Sequence, residues 1–202
     1  MLFRSERAAA ILPDELPAAA VSTLLAMADE PAAGTAALAL LDRCPVTPEL
    51  VQALMERLAA AEPDTQVQLF ARWQRLMAQE PVRSLLQRTA LGDGPLPVRA
   101  AALAALERAR DPMPLPESWP QWPPRLRYHA ARLCIATGRI EGVPVLIALA
   151  DDAAGPDEDP TTAAMARFDL SQMAQVAPHT KVAYYREWFA TLTEVPTLRT
   201  GK

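Results

Sequence analysis

The sequence predicts an all-α chain of short, closely spaced helices, and three observations carry that prediction. The first is punctuation: 20 Pro stand against only 7 Gly, and Pro repeatedly follows an acid. The second is a helical apolar period between those marks. The third is composition: half of the 202 residues are hydrophobic but only 5% are aromatic. Leu and Ala must then supply the core, and Val, Ile and Thr never gather in the alternating runs that strands require.

The acid–Pro pairs are Glu30-Pro31, Glu62-Pro63, Glu80-Pro81, Asp111-Pro112 and Asp159-Pro160. The residue before Pro disfavours the helical region, while Pro itself suits a first helical position. A carboxylate there also meets the positive end of the helix dipole. Each pair therefore reads as one helix stopping and the next starting. The stretch Thr47-Pro48-Glu49-Leu50 reads the same way, with Thr47 as the cap.

Eleven helices are expected on this basis, over 2–11, 14–29, 31–43, 47–61, 63–79, 81–91, 97–110, 125–137, 142–150, 160–176 and 180–193. The clearest stripe runs Leu50, Leu54, Leu58 and Ala61. A looser one joins Val67, Phe70, Leu76 and Met77 around Trp73, and Leu126, Ala130, Leu133 and Cys134 make a third. Short connections place successive helices side by side and antiparallel. Gly138 is expected to end one helix in a left-handed cap, and Pro144 to open the next.

Arg99 and Arg127 lie 28 residues apart, and each is followed by a small-residue run and then Leu. Over 125–152 the order is Arg, Ala-Ala, Leu, a Gly turn, Val143-Pro144, a second apolar helix and the acid pair Asp151-Asp152. This arrangement resembles the short bacterial HEAT-like repeat, the type that bilin lyases share. The resemblance is close over 125–152, fair over 97–110, and reduces to helix spacing over 1–91. It implies a single α-solenoid domain over 1–202, with stacked antiparallel helix pairs burying a continuous core. The final aromatic helix around Tyr184, Tyr185 and Trp188 suits a closing cap. A proline-rich segment, 111–124, stands where a second helix is expected, and an acidic loop covers 151–160.

Net charge is −4, distributed as −6 over residues 1–65, +5 over 66–150 and −3 over 151–202. The overall sign argues against a nucleic-acid or anionic-membrane partner. The basic middle offers Arg72, Arg75, Arg83 and Arg88 as partner-binding residues, with Arg72 and Arg75 expected to share a helical face. Trp119 and Trp122 in the proline-rich segment have two readings: an exposed anchor for a partner, or a plug folded back over the gap left by the missing helix. The plug is the preferred one.

Catalytic signals are thin. His129 and His179 share no ligand-like spacing; the first reads as packed or partly exposed, the second as an exposed loop residue. Nucleophile-elbow, phosphate-loop and zinc-helix motifs are absent from the sequence. The carboxylates of 151–160 read as a solvated loop rather than a calcium site. Cys44 and Cys134 read as reduced, packed thiols of a cytoplasmic protein. No apolar window is long enough to span a membrane. The expectation is a non-enzymatic scaffold that binds another protein, without cofactor or metal. The resemblance leaves two alternatives: a nucleic-acid-binding or base-modifying protein using the Arg-rich middle, and an accessory lyase or chaperone for a cofactor protein.

Overall fold

The computed structural model describes residues 16–28, 30, 33–73, 75–151 and 159–196. Ten α-helices stand among them: α1 (Ala20–Met27), α2 (Gly34–Leu40), α3 (Pro48–Ala60), α4 (Pro63–Arg72), α5 (Glu80–Leu91), α6 (Leu96–Ala109), α7 (Pro124–Ala136), α8 (Gly142–Ala150), α9 (Pro160–Ala174) and α10 (Val182–Ala190). The described residues contain no strand, as the composition requires. The expected helix over 2–11 lies outside them. Short 3-10 turns at 41–43, 76–78 and 119–121 complete the elements.

The proline marks work by two means. Thr47 caps α3 through its side chain, accepting from the Leu50 N–H at 3.2 Å. Asp159 caps α9, accepting from the Thr161 N–H at 3.0 Å and the Thr162 hydroxyl at 2.9 Å. Pro63 and Pro81 open α4 and α5 without a side-chain cap, through backbone preference alone. Asp111-Pro112 opens no helix, and the chain from 111 to 116 is irregular.

The chain divides into two compact units, residues 1–105 and 106–202, with α6 crossing the boundary. In the first unit, α2 packs against α1 and α4, and α3 against α5. Leu50, Leu54, Leu58, Phe70 and Leu86 are buried there. The expected helix over 63–79 is broken. Trp73 turns extended (ψ 128°) and α4 stops at Arg72. The cause is tertiary: the buried Trp73 indole donates to the Leu38 carbonyl at 3.1 Å. The Leu76 N–H then finds Asp42 at 2.9 Å, which anchors the 76–78 turn.

In the second unit, α8 packs against α7, α9 and α10, and α9 also touches α7 and α10. The α7–turn–α8 pair is formed as the spacing predicts. Gly138 has φ +80°, with its N–H on the Ile135 carbonyl and the Arg139 N–H on that of Cys134. The helix begins at Gly142, two residues before Pro144. Gly142 is needed for close approach, because a Cβ there would run into the Ala131 carbonyl oxygen of α7.

Candidate functional site

The described charge with the most partners sits at Arg132 in the second unit. Tyr128 and Arg132 are four apart on α7 and so share a face. Glu107 comes from the last turn of α6 and Asp169 from the middle of α9. Arg132 donates to Glu107 at 2.7 and 2.9 Å and to both Asp169 oxygens at 2.7 and 2.8 Å. The Tyr128 hydroxyl donates to Asp169 at 2.7 Å and accepts from Arg132 at 3.0 Å. Both carboxylates are buried.

The electrostatics follow from that packing. Burial raises the Tyr128 pKa, the Asp169 charge adds to it, and the phenol stays protonated. Burial opposes the Arg132 charge, but the hydrogen bonds and charge of Glu107, with Asp169 behind them, outweigh it and hold its pKa above the ordinary range. One guanidinium serves two buried carboxylates and the phenol by hydrogen bonds, so the group acts as a brace joining α6, α7 and α9. His129 borders it, its ring edge-on to Tyr128 at 5.1 Å. The His129 Nδ1 is buried without a hydrogen-bond partner. Burial, then the charges of Arg132, Arg125 and Arg108, push its pKa down to about 4.

The expected partner-binding residues are divided between the units, Arg72, Arg75, Arg83 and Arg88 in the first and Trp119 and Trp122 in the second. Arg72 ends α4 and Arg75 lies beyond the break at Trp73, so the two are not on one helix face; both are exposed. Arg83 pairs with Glu80 one turn earlier, at 2.6 Å. Arg88 is exposed on α5 beside the half-exposed Leu91. Trp119 is buried in its 3-10 turn, which packs against α7, while Trp122 is half-buried. His179 is exposed. Cys44 and Cys134 are free and buried, and burial pushes the Cys134 thiol up to about 11.

Sequence reading missed what several arginines do. Arg83, Arg132, Arg139 and Arg186 pair with carboxylates, but three other arginines donate to a backbone carbonyl at or near a helix end. Arg99 donates to Ala90 O at 3.2 Å and Arg167 to Ala150 O at 2.8 Å. Arg57 donates to Leu25 O at 3.2 Å, and Gln66 serves Leu58 O at 3.0 Å in the same way. The Ala90, Ala150 and Leu25 carbonyls lie in the last turns of their helices, where no intrahelical donor remains, and a cation also suits the negative end of the dipole. Leu58 O also accepts from the Ala61 N–H at 3.3 Å. No local sequence signal marks this, because the cap and the capped helix belong to different elements.

The outer face of α9 carries a second unforeseen feature. Met165 and Phe168 are three apart and 39% and 55% exposed, while Thr162, Ala166, Asp169 and Leu170 point inward. Among the described residues no three of His, Cys, Asp and Glu come together as a metal site, and no helix is long and apolar enough to cross a membrane. Compared with protein-family models, curated proteins and solved structures, the chain matches none.

Proposed function

We propose that the chain is a non-enzymatic α-solenoid scaffold of HEAT-like repeats that binds another protein. The observation that carries this reading is the outer face of α9, where Phe168 and Met165 leave large apolar surface in water. Isolated apolar side chains are ordinary on a protein surface, but an aromatic and a methionine adjacent on one helix face offer the kind of anchor that interfaces use. The extended surface of a stacked helical array suits such binding. The arginines bonded to helix ends and to buried acids also leave less of the basic middle for a nucleic acid.

The test compares the parent with a Met165→Glu, Phe168→Glu variant in affinity capture from native lysate, read by mass spectrometry. The variant is expected to keep the parent's helix content and melting temperature, since both sites are exposed, and to lose a protein the parent retains. Identical captured sets would overturn the reading. Duplex DNA is expected not to bind at physiological salt; steeply salt-dependent binding, the signature of counterion release, would favour a nucleic-acid partner instead.

A further inference from the structure

An open cleft of about 410 Å3 lies where the end of α8, the middle of α9 and the start of α10 meet. Among the described residues its walls carry three cationic side chains, Arg167, Lys181 and Arg186, against one carboxylate, Asp151. Two of the cations are held in place rather than loose. The Arg167 Nε donates to the Ala150 carbonyl at 2.8 Å, and Arg186 pairs with Asp151. A guanidinium whose arm is already fixed loses little entropy on meeting a ligand.

The backbone adds to the same charge. Val182 and Ala183, the first two residues of α10, also line the cleft. Lys181 at the N-cap makes no side-chain cap, and the first turn contains no acid. The first N–H groups of a helix have no partner inside it, and the positive end of the dipole lies there. A third observation concerns Tyr185, which does not itself line the cleft. The Tyr185 hydroxyl is wholly buried and forms no hydrogen bond of good geometry. Its polar neighbours are Thr180 and Arg167, both of the cleft wall.

We propose that this cleft binds a phosphoryl group, free or as a small phosphate monoester, at the start of α10 between Arg167, Lys181 and Arg186. The guanidinium forks and the helix N–H groups donate from several directions, which suits a tetrahedral dianion. Asp151 holds Arg186 in position but repels the ligand; the three cations outnumber it, so the net attraction grows with the ligand's charge and favours a dianion over a monoanion.

The test titrates the full chain with inorganic phosphate and, separately, with glycerol phosphate. Glycerol, and sodium chloride at matched ionic strength, are the controls. The readouts are calorimetry and the amide shifts of Val182 and Ala183. Saturable binding is expected with Kd on the order of 1 mM or tighter. A Lys181→Ala, Arg186→Ala variant should bind about tenfold more weakly, and Asp151→Asn more tightly, as loss of attraction and of repulsion require. Tighter binding of the monoester would show that the organic part is recognised; equal binding would assign the site to phosphate itself. Both side chains of the double variant are exposed, so it should melt like the parent. Should it not, Lys181→Glu alone makes the same test. No saturable shift, the same shift with chloride, or binding unchanged by the substitutions would overturn the proposal.

Discussion

The two compact units are held by different kinds of polar contact. In residues 1–105 the described bonds run mostly from one side chain to a distant backbone group. Asp42 accepts from Leu76 at 2.9 Å, Trp73 donates to Leu38, Arg57 to Leu25 and Gln66 to Leu58. In residues 106–202 the central contact is a four-residue network of side chains, Glu107, Tyr128, Arg132 and Asp169. A backbone carbonyl at a helix end is present whatever the residue, so each bond of the first kind depends on one side chain only. The network depends on several at once, and removing one member strands the others. The first unit is therefore built to fail by small steps, and the second by a large one.

The largest expected effect comes from Arg132→Met. It leaves Glu107 and Asp169 buried without their cation, and loss of one partner of a buried pair costs about 3–5 kcal/mol. The triple change Arg132→Met, Glu107→Gln, Asp169→Asn should recover much of that loss, because no buried charge is then stranded. Denaturant melts of both variants check this, and simple additivity would show that the network is not a unit. Hydrogen exchange should place the loss of protection from Arg132→Met in residues 106–202.

The His129 site gives the next effect and has a pH signature. Folded chains resist protonation of this imidazole down to about pH 4, whereas an unfolded histidine titrates near 6.5. Between those values the unfolded state binds more protons, so stability rises with pH through that window and falls as pH drops. The difference across the window is on the order of 3 kcal/mol. His129→Phe should flatten that part of the pH profile; a profile unchanged by the substitution would remove His129 as its source.

Asp42→Ala in the first unit is expected to cost about 1–3 kcal/mol, through the unsatisfied Leu76 and Arg75 N–H groups. A loss as large as that of Arg132→Met would erase the contrast between the units. The smallest effect has the opposite sign. Arg110 ends α6 at φ +51°, with the Asp111 N–H on Leu106 O at 3.0 Å. This is the position that Gly138 fills after α7, so Arg110→Gly should stabilise by about 1 kcal/mol, read as a rise in melting temperature.

Helix content and most helix boundaries were legible because their causes are local. Thr47, Asp159 and the prolines act on their own few residues, and the Gly138 turn needs only a residue that tolerates positive φ. The failures have distant causes. The period across Val67, Phe70, Leu76 and Met77 is helical, yet α4 breaks because Trp73 and Leu76 find partners on Leu38 and Asp42, more than thirty residues away. Met165 and Phe168 have the spacing of a core pair, and only the packing of α8 against the other side of α9 turns them outward. Arg132 looked like one of eleven basic residues in the middle of the chain; Glu107 and Asp169, 25 and 37 residues from it, make it the centre of a brace. Hydrophobic period and capping chemistry are written in neighbouring residues, and so the sequence alone determined the helices. Which polar group meets which across helices depends on three-dimensional packing, and only the tertiary structure decided that.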